Sequence, residues 1–348
     1  MMSGFVPGLE LSRAYYADVV APLVADIPHS AALIGPGSEV LAFDTQRSAD
    51  HDWGPRVLLF VPPGAAAETE AAVEAGLPSI FCGYPTVFAQ HGQVRHGVRV
   101  AELGGWLTSR LGFDPRGPIT PLDWLSAPWQ ALAEVTCGEV FHDGLGELNR
   151  VRAALRWYPD DLWRYVLACQ WQRIGQEESF PGRCAEVGDE LGSATLGGRL
   201  VREVMRLALL QRRRYPPYAK WLGSALARLP GAAELGEALG AALAARTWRD
   251  REAALSAAYE RLAAVHNRIA LTGPVETSVR PFHDRPFQVI DGGRLAEALL
   301  ESIGDPQVRA LALCGSVDQM CDSVEILTHP ARARAVTAAV LTLQPAAA

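Results

Sequence analysis

The chain changes texture about a third of the way along. In its first ~115 residues, short apolar runs, "AALIG" (31–35), "RVLLFV" (56–61) and "QVRHGVRV" (93–100), stand between Gly- and Pro-containing turns, the pattern of brief strands. Between two of them, "AAAETEAAVEAG" (65–76) predicts a helix with Gly76 as its stop. After "LGFDPRGPITPLDW" (111–124), with three prolines and two glycines, the pattern is almost wholly helical. In 246–270, Trp248, Leu255, Tyr259, Leu262 and His266 recur at three, four or seven residues and form one stripe. Val201, Val204, Met205 and Ala208 do the same in 200–214, 274–293 reads as a Pro-rich loop or short extended excursion, and helix resumes at "ALLESI". The expected class is α+β: a small mixed-sheet α/β domain over 1–120 and a mainly α-helical domain over 121–348.

Composition narrows the function classes. With 348 residues, 49% hydrophobic and 20% charged, the chain has ample core for a globular protein, and its net charge of -7 argues against a dominant nucleic-acid surface. An arginine-lined groove beneath that acidic average is still compatible with it. No stretch reaches the ~18 apolar residues of a membrane span and the N-terminus has no leader pattern, so a cytoplasmic protein is expected. Six widely spaced cysteines, without a C-x-x-C, read as free, mostly buried thiols.

Candidate chemistry concentrates in "IGPGSEVLAFDTQRSADHDWGPRVLLFV" (34–61). Read as strand, Asp50 and Asp52 point the same way, and two carboxylates on one side call for a hard divalent cation, magnesium first. Gly37 and Ser38 offer unobstructed backbone N–H groups and a hydroxyl to a phosphate. A D-x-D alone is common as a solvated loop or turn cap. More specific is the combination of apolar strand, Gly-Ser turn, eleven-residue spacer, Asp-x-Asp and second apolar strand.

That combination resembles the signature of the polymerase-β-like nucleotidyltransferase superfamily, with "RSADHDW" similar to its Ser-Asp-x-Asp but for the inserted Ala49. More widely, "WQRIGQEESFPGRCAEVGDELGS" (171–193), "RRRYPPYAKWLGSALARL" (212–229), "RPFHDRPFQVI" (280–290) and "CGSVDQMCDSVEILTHP" (314–330) resemble a bacterial family with such an N-terminal half and a helical C-terminal half. The resemblance implies a nucleotidyltransferase-like fold in which Asp50 and Asp52 hold magnesium against an NTP, ATP first. An acceptor hydroxyl then attacks the α-phosphorus and pyrophosphate leaves. A third carboxylate is expected from "HGVRVAE" (96–102), where Arg99 stands instead and Glu102 is the nearest acid.

In the helical half, Lys220 is a candidate for the β- or γ-phosphate, with Arg213 or Arg214 assisting; a solvated helix end accounts equally for such cations. Glu177 and Glu178 form either a surface acidic pair or a source of the general base, and Asp189 reads as a turn residue or N-cap. His91 and His96 are five apart, a poor spacing for one metal, and His283 with Asp284 reads as a polar knot that pins a loop. No P-loop, dinucleotide or serine-hydrolase motif occurs. The leading expectation is AMP transfer to a small-molecule or protein acceptor. Its rivals are a non-catalytic nucleotide sensor or partner-binding protein that keeps the fold, and an interaction scaffold with a structural Asp pair.

Overall fold

The structure is a computed structural model that describes residues 5–50, 53–90 and 93–342. The fold is α+β, a small mixed sheet with a mainly helical C-terminal region. The chain divides into two compact units, Met1–Asp123 with Gln130–Arg156, and Trp124–Trp129 with Trp157–Ala348. Among the described residues no helix is long and apolar enough to cross a membrane.

The first unit opens with α1 (Gly8–Tyr15), a π turn at Tyr16–Val20 and α2 (Ala21–Leu23). Strands β1 (Ser30–Leu33) and β2 (Val57–Phe60) follow where the apolar runs predicted them, and α3 (Ala66–Gly76) is the predicted helix. Two small hairpins come next, β3 (Ile80–Phe81) with β4 (Tyr84–Pro85), and β5 (Val87–Gln90) with β6 (Gln93–His96). Gly97 separates β6 from β7 (Val98–Ala101), so "QVRHGVRV" is two strands in two different sheets. Then come α4 (Leu103–Leu111), α5 (Pro121–Ser126), α6 (Trp129–Thr136), β8 (Glu139–Asp143) and α7 (Leu148–Ala154).

The main sheet runs β7-β2-β1-β8. Strand β8 lies in a region expected to be helical. Its five residues carry too little periodicity to declare a strand, and pairing with β1 decides the matter. On one face, Val57 and Leu59 of β2 and Val98 of β7 pack with Tyr15, Tyr16, Val20, Val24 and Val73 into the unit's core. The alternation of a strand therefore turns Leu58, Phe60 and Arg99 to the other face.

The second unit continues with α8 (Asp160–Glu177), α9 (Phe180–Glu186), α10 (Glu190–Gln211), α11 (Ala219–Ala227), α12 (Ala233–Ala244) and α13 (Trp248–Ile269). The predicted excursion is a short hairpin, β9 (Arg280–Pro281) with β10 (Gln288–Val289). Helices α14 (Gly292–Glu301), α15 (Pro306–Arg309), α16 (Val317–Met320), α17 (Val324–Leu327) and α18 (Pro330–Thr342) complete it. Leu255, Tyr259, Leu262 and His266 of the predicted α13 stripe are buried, and Trp248 is half-buried. Helix α8 buries Leu162, Tyr165, Cys169 and Trp171 on several sides, as a central helix does. All six cysteines are free thiols, but Cys169 alone is fully buried and Cys82 is exposed, which corrects the expectation of mostly buried thiols.

Candidate functional site

Strand pairing brings the candidate site together. Because β1 is antiparallel to β2 and β2 parallel to β7, the C-terminal end of β1 meets the N-terminal ends of β2 and β7 on one edge. The "IGPGS" turn leaves β1 at that edge, and Leu58 of β2 stands beside its register partner Arg99 of β7. Trp106 of α4 meets Phe60 edge-on at 5.4 Å. Between them lies a cleft of about 230 Å³ whose walls include Ile34, Phe88 and Trp106 and whose polar groups are Arg56, Arg95, His96 and Arg99.

The charge in this cleft is concentrated. Arg56 donates to the Pro36 carbonyl at 2.8 Å and forms an ion pair with Glu39, a carboxylate only 2% exposed. Burial, together with repulsion from Arg95 and Arg56, lowers the pKa of Arg99, against a smaller opposing pull from Glu70. Among the described residues, Arg56 Nε and His96 Nδ1 are buried without a hydrogen-bond partner. Such a set can take the oxygens of a phosphate, which would relieve the repulsion and give Arg56 Nε an acceptor.

Gly37 and Ser38 sit at the edge of this cleft. Gly37 has φ +150°, and a Cβ there would collide with the Arg56 guanidinium and stand 2.7 Å from Glu39 Oε1. The glycine therefore makes room for the Arg56–Glu39 pair as well as leaving its own N–H unobstructed. The Ser38 carbonyl accepts from Phe43 N at 2.7 Å, closing a turn, and its hydroxyl lies 3.5 Å from Glu39 Oε2.

The Asp-x-Asp segment is not a strand. Gln46–Asp50 forms a 3-10 turn, so the same-face argument for Asp50 and Asp52 fails, and Asp52, with His51, lies outside the described residues. The flanks of the segment are pinned. Asp44 Oδ2 accepts from Gly8 N at 2.7 Å and from Trp53 Nε1 at 3.2 Å, and Trp53 is buried against Phe5 and Tyr84. A Cβ on Gly8 would touch both Trp53 Nε1 and Glu39 Cβ, so the indole that follows the acidic segment anchors it beside Glu39.

Glu102 stands apart from the cleft. It precedes α4 at the C-terminal end of β7, the far end of the strand, and its Oε1 accepts from Gly64 N at 2.8 Å. Lys220 is exposed at the start of α11 in the other unit, its ammonium 5.6 Å from the Trp221 ring. Among the described residues no three His, Cys, Asp or Glu gather as metal ligands. The described donors of the cleft suit phosphate oxygens, and the oxygen donors a magnesium ion needs would be those of Asp50 and Asp52.

Arg56, Arg95, His96 and Trp106 were not singled out from the sequence as site residues. A signal existed in "QVRHGVRV", whose three basic residues flank a glycine, but only the sheet shows that they converge with Arg56. In the second unit, Glu178 proves to be buried rather than a surface acid. It accepts from the N–H groups of Ile290, Asp291 and Gly292, and burial pushes its pKa up to about 7 against their downward pull. Glu177 pairs with Arg199 at 2.8 Å, and Asp189 is the N-cap of α10. Arg213 lies over the Trp163 ring, 3.1 Å from Asp160. His283 packs on Phe282, and His91 lies outside the described residues.

A family model described as a domain of unknown function (DUF4037) matches residues 124–222, a span that includes the last segment of the first unit and part of the second. Searches of curated proteins and of solved structures gave no match.

Proposed function

We propose that the cleft binds the phosphates of a nucleoside triphosphate, ATP first, and that the chain transfers the nucleoside monophosphate to a small-molecule or protein acceptor with release of pyrophosphate. The observation that carries this reading is the convergence of Arg56, Arg95, Arg99 and His96 beside the Gly-Ser turn. A cavity of about 230 Å³ suits a polyphosphate rather than a whole nucleotide, so the nucleoside extends past its mouth. Trp106 and Phe88 supply aromatic surface to its walls. Asp50 and Asp52 are the residues that would hold magnesium, whose chemistry there is to neutralise the triphosphate and polarise its α-phosphorus. The arginines orient the phosphates and take up the charge of the leaving pyrophosphate.

One observation favours a second reading. The strand position expected to carry a third carboxylate holds Arg99, facing the cleft. A nucleotide sensor that binds without transfer is consistent with that substitution.

Calorimetric titration of ATP and GTP, with and without magnesium, tests both. Arg99→Ala removes a charge-assisted contact of about 1.5–3 kcal/mol and should weaken ATP binding about tenfold or more. Asp50→Ala/Asp52→Ala should abolish the magnesium dependence of binding and the release of pyrophosphate. Binding in the parent without pyrophosphate release, across candidate acceptors, supports the sensor. Absence of NTP binding in the parent defeats both readings.

A further inference from the structure

The helical unit holds a second cavity that the nucleotidyl-transfer reading does not use. It opens between the end of α10, the turn before α12 and the C-terminal part of α13, with a volume of about 230 Å³. Ala208, Leu235 and Leu262 are buried in its wall and give it an apolar floor. Its rim carries three cations, Arg261 and Arg268 from α13 and Arg212 from the C-terminal end of α10. The one acid in the lining, Glu234, lies 3.1 Å from Arg261. Three arginines against one glutamate leave two positive charges in excess, and among the described residues neither Arg212 nor Arg268 has an ion-pair partner.

A second, independent observation comes from Gln211, which also lines the cavity and is 3% exposed. Its Nε2 donates to the Leu262 carbonyl at 2.9 Å, while its Oε1 is buried and unpaired. Flipping the amide does not repair this, because Oε1 would then face a carbonyl and Nε2 would lose its acceptor. An unmade bond at a buried acceptor is destabilising, and a ligand that brings a donor can recover that loss. Placement near the C-terminal ends of α13 and α10 accounts for Arg268 and Arg212 one at a time through the helix dipoles. It accounts for neither the apolar cavity between them nor the unpaired amide.

We infer that this cavity binds a small organic anion with a compact apolar body and a hydrogen-bond donor. The anionic group meets Arg212 and Arg268, the body lies on the apolar floor, and the donor serves Gln211 Oε1. The volume is below the ~300 Å³ at which pockets for drug-sized ligands begin, so the ligand is about the size of one substituted ring. No nucleophile or paired carboxylate lines the cavity, which makes it a binding site rather than a second reaction centre.

The test uses the full chain with 4-hydroxybenzoate and benzoate as probes, followed by calorimetry and ligand-observed NMR. The parent should bind 4-hydroxybenzoate saturably with a Kd of about 1 mM or tighter, and benzoate more weakly. Arg212→Ala/Arg268→Ala should weaken both about tenfold, Gln211→Met should erase the advantage of the hydroxyl, and Arg99→Ala, in the other unit, should change neither. Absence of saturable binding overturns the inference, as does binding that survives the double arginine variant or vanishes with Arg99→Ala. Should Gln211→Met fail to fold, the exposed arginine pair still decides, since neither of its side chains belongs to the core.

Discussion

Glu178 shows how much one carboxylate can be asked to do. It sits one residue past the end of α8 and satisfies three backbone N–H groups at the start of α14, which no side chain of α14 itself caps. Burial raises its pKa from 4.5 to about 7, only partly offset by those donors. The folded protein therefore holds a proton that the unfolded chain has released between these two values. The stability contributed by protonated Glu178 is full below pH 4.5 and is lost as the pH rises through about 7. Glu178→Gln has no charge to titrate, so its melting temperature should fall less than the parent's between pH 5 and 7.5, by about the slope this one group contributes. Equal slopes in parallel melts by circular dichroism would show that Glu178 does not titrate in this window.

At the scale of elements, the contact between α8 and α14 depends on bare backbone. A Cβ on Gly292 would lie 2.5 Å from the Trp171 carbonyl, and one on Gly175 would lie 3.0 Å from Gly293 N. The two helices approach closely because both positions are glycine. Gly292→Ala should push α14 away from α8 and strain the Glu178 cap, costing about 1–3 kcal/mol in urea unfolding despite the better helix propensity of alanine. An alanine variant as stable as the parent would mean that the helices separate without loss. Sequence patterning places α8 only within a broadly helical region and has helix resume at "ALLESI", whereas α14 already starts at Gly292. Which partner those glycines admit is a property of the packing. The acidic segment makes the same point: alternation is a sound rule for strands, but 46–50 coils into a 3-10 turn whose start is held by a Thr45 N to Ser48 Oγ bond of 3.0 Å.

At the scale of the whole molecule, charge is distributed by burial and by pairing. The chain carries a net -7, yet Arg56, Arg95 and Arg99 share one cleft and Arg212, Arg261 and Arg268 share another. The helical unit also has a buried polar network assembled from distant parts of the chain. Gln170 donates to Glu203 at 2.7 Å and accepts from Gln319 at 2.9 Å, Arg173 reaches Glu203 at 3.2 Å, and Arg206 donates to the Asp318 carbonyl at 3.1 Å. The nearby Arg206 and Arg173 hold the Glu203 pKa below its ordinary value, although burial pushes it up. Arg206→Met removes a buried cation and leaves Glu203 and Asp318 short of a partner, which should cost about 3–5 kcal/mol in chemical unfolding. The Arg206→Met/Glu203→Gln double variant should lose less than the sum of the singles. Additive losses would mean that the two side chains do not interact.

The amino-acid sequence by itself determined the class of the fold, because hydrophobic patterning is a local property: short apolar runs at 31–35 and 56–61 became β1 and β2, and the stripe over 246–270 became α13. It also narrowed Asp189 to a turn residue or N-cap; the N-cap it forms needs only a partner three residues away. The tertiary structure alone decided that β8 is a strand, that Glu178 is buried, that Glu102 stands at the far end of β7 from the cleft, and that Arg56, Arg95, His96 and Arg99 converge. Each of those outcomes rests on pairing between segments tens of residues apart. Strand register and helix contact set such pairings, and the order of residues along one stretch of chain carries no direct trace of them.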